Sequence, residues 1–187
     1  MPLTLLRHTQ PAVAEGLCYG RTDLDVADNF AVQAAAASAR LPAIDLLLSS
    51  PARRCRKLAE YIGEAHQMPV QLEPRLLELD FGRWEQQFWA DIPRSELDAW
   101  GADLLHANPY QGETVAELNA RIAQLLLELA CEPGHIVWVT HAGVIKSTAA
   151  HMHGDQASFD WTLSVKFADM ITFPSIRPSE SERTQQG

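Results

Sequence analysis

Two histidines and two arginines occupy positions where strands should end. Arg7-His8 follows the short apolar run Pro2-Leu3-Thr4-Leu5-Leu6, and His141 follows His135-Ile136-Val137-Trp138-Val139-Thr140. Runs of this length and type read as buried strands. In open α/β sheets, ligands bind just beyond the carboxyl ends of strands. A third run, Asp45-Leu46-Leu47-Leu48-Ser49, leads into a helix whose first turn carries Arg53 and Arg54. A helix N-terminus offers unpaired amides and a partial positive charge, and an arginine there adds a planar fork suited to phosphate oxygens. A single Arg-His pair after a strand is most simply a surface pair. Three strand ends delivering Arg7, His8, Arg54 and His141 to one sheet edge point instead to a site for phosphate or another anion.

The elements that must hold these residues are read from the pattern around them. Phe30 to Leu41 is alanine-rich and reads as a helix. Ser50-Pro51 resembles an N-cap followed by proline at the first helical position, with Cys55, Leu58, Ala59 and Ile62 at helical spacing beyond it. Val70 to Leu72 reads as a short strand. Thr114-x-x-Glu117 matches a capping box, and Val115, Leu118, Ile122, Leu125, Leu126 and Leu129 form the apolar face of its helix. A further helix starts near Ala142, and Leu163–Phe167 and Met170–Phe173 are expected to close the sheet as strands. Alternating strands and helices predict an α/β fold, a three-layer α/β/α sandwich with a mostly parallel central sheet. Residues 83–111, with Trp84, Phe88, Trp89 and Trp100 among proline and glycine breaks, read as an inserted segment. It either walls a pocket or forms ordinary aromatic core. One domain over residues 1–174 is expected, with a polar, disordered tail over 175–187.

Composition narrows the function. A chain of 187 residues is long enough for one domain with a full core, and 47% hydrophobic with 21% charged residues is ordinary for a globular protein. A formal net charge of −9 argues against general attraction to nucleic acid or membrane surfaces. An anionic substrate then needs a local basic pocket. No stretch is long and apolar enough to span a bilayer, and the N-terminal run is too short for a signal peptide. Cys18, Cys55 and Cys131 are an odd number without metal-ligand spacing, which fits a cytoplasmic protein. His151-x-His153 points its two rings apart on a helix, so a zinc pair is not expected. The expectation is no metal and no cofactor.

Five segments in order carry a family resemblance: Leu5-Leu6-Arg7-His8-Thr9, Ser49-Ser50-Pro51-Ala52-Arg53-Arg54-Cys55, Leu77-Glu78-Leu79-Asp80-Phe81-Gly82-Arg83-Trp84-Glu85, Gly112-Glu113-Thr114 and Val139-Thr140-His141-Ala142-Gly143. Together they resemble the histidine phosphatase (phosphoglycerate mutase-like) superfamily over roughly residues 3–173. The resemblance implies His8 as the nucleophile that becomes a phosphohistidine. It implies Arg7 and Arg54 as phosphate clamps, His141 as the second pocket histidine and Glu78 as proton donor to the leaving group. It also implies catalysis without a metal. The chemistry is coherent in itself: a neutral imidazole is a competent nucleophile, and guanidinium groups can neutralise equatorial oxygen charge. Glu78 lies in an apolar Leu76-Leu77-x-Leu79 setting, where a raised pKa would suit a general acid. Read without the resemblance, it would be a solvated surface glutamate.

The chain also departs from the usual family pattern. The opening is Arg7-His8-Thr9-Gln10-Pro11 rather than Arg-His-Gly-Glu, Ala14 replaces an asparagine that touches phosphate, and Leu58 replaces a threonine. The variant opening and Gly16-Leu17-Cys18-Tyr19-Gly20-Arg21-Thr22-Asp23 resemble the alpha-ribazole phosphatase branch, linked to cobalamin biosynthesis. On that basis Thr9 is a further phosphate contact, and Tyr19 and Arg21 are candidate substrate contacts. Glu85 and Glu113, matching superfamily positions near the pocket, are candidates beside them, with an exposed surface role as the default. The expected activity is phosphomonoester hydrolysis on a small phosphorylated metabolite, with alpha-ribazole 5′-phosphate the first candidate. A phosphoglycerate mutase-type phosphotransferase and a phosphate-binding module with little turnover are the alternatives. Oligomeric state is open, a homodimer included. Cys18 and Cys55 are read as inert small residues rather than a redox pair.

Overall fold

The structure, a computed structural model, describes residues 1–153, 159 and 162–176. Among them, strands β1 (Leu3–Arg7), β2 (Leu46–Ser49), β3 (Val70–Leu72), β4 (Ile136–Thr140) and β5 (Met170–Phe173) form one sheet ordered β3-β2-β4-β1-β5. β1, β2, β3 and β4 run parallel and β5 runs antiparallel to β1. Helices α1 (Phe30–Ser38), α2 (Arg53–His66), α3 (Arg94–Ala102), α4 (Val115–Leu129) and α5 (Ala142–Met152), with 3₁₀ turns at Pro74–Leu76 and Gly82–Trp84, complete the described elements. α1 and α2 bury one face of the sheet, in a cluster holding Leu6, Leu58, Ile62, Val137 and Val139. α4 and α5 cover the other, with Leu5, Leu118, Ile122, Trp138 and Ile145. Burial on both faces explains why β4 is apolar from Ile136 to Val139 rather than alternating.

The register of the central pair sets up the site. Leu3↔Ile136 through Arg7↔Thr140 are partners in β1 and β4, so His8 and His141 each stand one residue past a matched pair. His8 N also donates to Thr140 O at 2.9 Å. α4 starts with the expected capping box: Thr114 Oγ1 accepts from Glu117 N at 3.2 Å, and Glu117 Oε2 accepts from Thr114 N at 2.8 Å. Such a cap stabilises a helix by about 1 kcal/mol.

Three expectations change. α2 begins at Arg53 with Ala52 as N-cap and no side-chain cap: the buried Ser50 hydroxyl meets His141 at 2.8 Å and accepts from Ala52 N only at 3.4 Å. Leu163–Phe167 is not a strand: the segment crosses the end of β1, and Ala168 N donates to His8 O at 3.1 Å. Ala168 has φ +59°, and this left-handed turn reverses the chain into β5, so the apolar residues before it cover the site rather than extend the sheet. At the C-terminal end, Ile176 is buried in the core and its N–H donates to Met1 O at 3.0 Å, which carries the packed chain past Ser175. The rest of the expected tail, 177–187, lies outside the described residues.

The 83–111 segment builds a small core of its own. Cys18, Trp84, Ile92 and Tyr110 are buried together, with Phe81, Trp89, Leu97 and Trp100 packed around them. Trp84 Nε1 donates to Glu96 at 2.6 Å, so the indole is both packed and hydrogen-bonded.

Candidate active site

His8 and His141 face each other edge-on, with ring centroids 5.2 Å apart and an interplanar angle of 65°. They are 2% and 0% exposed. His8 Nδ1 is 2.7 Å from Thr9 O. A carbonyl only accepts, so Nδ1 carries the proton and Nε2 carries the lone pair. Burial, then the charges of Arg54 and Arg7, hold the His8 pKa well below the ordinary imidazole value, despite the opposing hydrogen bond to Thr9. The ring is thus neutral at neutral pH with a nitrogen nucleophile free.

Arg54 reaches this pair from the first turn of α2. Its guanidinium is fully buried and donates to Thr22 O and Gly20 O, both at 2.8 Å, and to His141 Nδ1 at 3.2 Å. Arginine can only donate, so His141 Nδ1 holds a lone pair and Nε2 the proton, which goes to Ser50 Oγ at 2.8 Å. Burial and then Arg54 push the His141 pKa well down as well. A buried guanidinium facing carbonyls and an imidazole is expensive unless an anion completes it. Arg7 donates to Val165 O at 2.6 Å, has Tyr19 within electrostatic reach, and lies 4.1 Å over the Phe167 ring. Tyr19 also faces Arg54, at 5.5 Å from ring to guanidinium, and burial raises its pKa.

Three buried polar atoms here lack a partner: Arg7 Nε, Arg54 Nε and Thr9 Oγ1. Native structures rarely leave such atoms unsatisfied, and a cluster of them marks where a ligand supplies the missing bonds. The two guanidinium nitrogens only donate and the hydroxyl can donate, which is the complement of a phosphate.

Glu78 approaches from the segment before the inserted residues. Its flanking leucines, Leu76 and Leu79, turn into the core, while its carboxylate accepts from Leu79 N at 3.0 Å and from Gly143 N at 3.1 Å. Two backbone amides therefore meet the carboxylate, which also lines a cavity with Leu79, Phe81, Trp100 and Phe159. A Cβ on Gly143 would run into Glu78 Oε1, so glycine is what lets the carboxylate approach α5.

Arg21, Glu85 and Glu113 are turned to protein partners rather than to the two rings. Glu85 accepts from Arg21 N and Thr22 N, both at 2.6 Å, and from the Thr22 hydroxyl, clamping the loop whose carbonyls receive Arg54. Arg21 reaches Glu113 at 3.2 Å and Asp80 at 3.7 Å. Glu113 in turn holds Arg121 at 2.7 Å. Cys18 and Cys55 are buried thiols, each pushed up to about 12 chiefly by burial, and Cys55 Sγ is 3.5 Å from His141 Nε2.

Sequence reasoning missed Ser50, Phe167 and Arg121. Ser50 carried a signal, as the residue one past β2, but its Ser-Pro context read as a helix cap. Phe167 sat in a segment expected to be a strand. Arg121 is a charge on the apolar stripe of α4, three residues from Leu118 and four from Leu125, and that mismatch was the available clue.

Comparison with known proteins places this geometry. The family model described as histidine phosphatase superfamily (branch 1) matches residues 3–179. The chain belongs to that family. Among curated relatives, adenosylcobalamin/alpha-ribazole phosphatase of Escherichia coli is 30% identical over 88% of this chain and 85% of that protein. Glucosyl-3-phosphoglycerate phosphatase of Mycobacterium tuberculosis is 31% identical over 94% and 90%. A solved structure of mycobacterial glucosyl-3-phosphoglycerate phosphatase superimposes with a TM-score of 0.81 at 28% identity, covering 91% of this chain and 88% of the other. The protein is a phosphatase with the phosphoglycerate mutase-like α/β fold, acting on small phosphorylated compounds. No helix among the described residues is long and apolar enough to cross a membrane.

Proposed function

We propose that the protein hydrolyses a phosphate monoester through a phosphohistidine on His8, without a metal. The observation that carries this reading is the set of orphaned donors on Arg7, Arg54 and Thr9 around a neutral His8 with its Nε2 lone pair free. In the first step, Nε2 attacks phosphorus and the ester P–O bond breaks. Glu78, protonated at that moment, gives its proton to the departing alkoxide. Arg7, Arg54 and Thr9 hold the equatorial oxygens, with His141 beside them. In the second step, Glu78 takes a proton from water, the water oxygen bonds to phosphorus, and the P–N bond breaks. Inorganic phosphate leaves and both residues return to their starting states.

Alpha-ribazole 5′-phosphate is the substrate we favour, on the likeness to the Escherichia coli relative and on Tyr19 at the pocket wall. Glucosyl-3-phosphoglycerate is the second candidate, on the likeness to the Mycobacterium tuberculosis relative. The unpaired cysteines suit a cytoplasmic setting for either. The test compares kcat/KM for these two esters with phosphoglycerates, sugar phosphates and nucleotides, in EDTA. Turnover that persists in EDTA and is highest for alpha-ribazole 5′-phosphate is expected. Equal rates across the panel would remove the substrate assignment, and loss of all turnover in EDTA would remove the metal-independent mechanism.

A further inference from the structure

Glu78 sits on a segment with little regular structure. A single 3₁₀ turn (Pro74–Leu76) precedes it, and no ladder holds residues 77–80. Yet the carbonyls of four successive residues are each taken by a side chain. Arg121 on α4 donates to Arg75 O, to Leu77 O at 2.7 Å and to Glu78 O at 3.3 Å. Thr140, the residue before His141, donates to Leu76 O at 2.8 Å. Arg21 Nε adds a second, longer bond to Glu78 O at 3.4 Å.

The Arg121 guanidinium is fixed at its other edge by a two-pronged pair with Glu113, Nε to Oε1 at 2.7 Å and Nη2 to Oε2 at 3.0 Å. Its side chain is 15% exposed and that of Glu113 is 11% exposed. A planar fork held this way presents its remaining donors in fixed directions. Those donors grip the backbone of the proton donor itself. Thr140 and Arg21 supply one bond each to this run of carbonyls, and Arg121 supplies three.

We propose that Arg121 is a positioning residue for proton donation: by fixing the backbone of residues 75–78 it sets where the Glu78 carboxylate meets the leaving oxygen. This rests on Glu78 being the general acid. A displacement of about 1 Å in such a group can cost on the order of 100-fold in rate. Proton donation matters only when the leaving group is a poor one. An alkyl phosphate needs it, whereas a p-nitrophenyl phosphate, leaving as a stable phenolate, does not.

The experiment measures kcat/KM, which reports formation of the phosphohistidine and not its hydrolysis shared by all esters, for p-nitrophenyl phosphate and for an alkyl phosphate in the wild type, Glu78→Gln, Arg121→Met and Arg121→Lys. Arg121→Met is expected to lose about 10- to 100-fold on the alkyl ester and under about threefold on the aryl ester, matching Glu78→Gln in pattern but not in depth. Arg121→Lys, which keeps the charge but not the fork, is expected to fall between wild type and Arg121→Met and to give the same readout if Arg121→Met does not fold. Equal losses on both esters, or none, in the Arg121 variants would overturn the proposal. If Glu78→Gln itself shows no selectivity for the alkyl ester, the assignment of Glu78 as acid falls first.

Discussion

The two halves of the site are built by different means. His8 and His141 are placed by the backbone ladder: β1 and β4 are paired residue by residue, and each histidine comes directly after the last matched pair. Glu78 is placed by side chains reaching across the fold, from Arg121 and Thr140, and by the amide of Gly143. A ladder in a doubly covered sheet tolerates little local movement. A segment bolted by individual side chains can shift when one bolt is lost. The nucleophile and clamp should therefore lose most when their own atoms are removed and lose on every ester alike, while the acid should fail at a distance.

Short of removing the nucleophile itself, the largest effect expected on the ladder side comes from Arg54→Met. It removes a buried oxyanion donor and leaves the Gly20 and Thr22 carbonyls without their partner. Turnover of any ester, aryl or alkyl, should fall by about 10²- to 10³-fold, the usual cost of a transition-state charge stabiliser. Steady-state kinetics on both ester types checks this. A selective loss on alkyl esters would break the division between the two halves.

Gly143→Ala tests the other side. The new methyl displaces the Glu78 carboxylate, the far end of a side chain, from the Gly143 amide, while alanine favours the helix by up to about 1 kcal/mol. The melting temperature should hold or rise as alkyl-ester turnover drops by about tenfold, a split that a folding defect cannot produce. Ser50→Ala should cost less, roughly five- to tenfold on both esters, because one hydrogen bond that orients His141 is worth about 1 kcal/mol.

The smallest effect is on stability against pH. His8 and His141 have folded pKa values well below 6.5, chiefly from burial. Below the unfolded value the denatured chain takes up protons that the folded chain refuses, so stability is fully present above about pH 6.5 and falls as pH drops toward the folded values. Urea midpoints measured from pH 7.5 to 5 should decline, and the decline should be shallower in His141→Asn. A flat profile would show that the two rings are protonated in the folded state.

Legibility in the chain divides along the same line. Arg7, His8, Arg54 and His141 were legible because strand ends are local signals, set by short apolar runs and the residues directly after them. The capping box at Thr114 was legible for the same reason. Ser50 was misread because Ser-Pro is a genuine cap signal, and what overrode it was burial against His141, a residue 91 positions away. Leu163–Phe167 has strand-like residues, but the turn at Ala168 decides its course. The Glu78 supports were the least legible, since Arg121 and Thr140 act from elements distant in sequence. Only the charge on the α4 stripe hinted at them.

Trapping the reaction tests the role of His8 most directly. Enzyme mixed with a ³²P-labelled ester and quenched in alkali should carry acid-labile, base-stable label, and peptide mapping should place it on His8. His8→Ala should carry none and should not turn over. Label on another residue, or steady hydrolysis by His8→Ala, would contradict the nucleophilic role of His8.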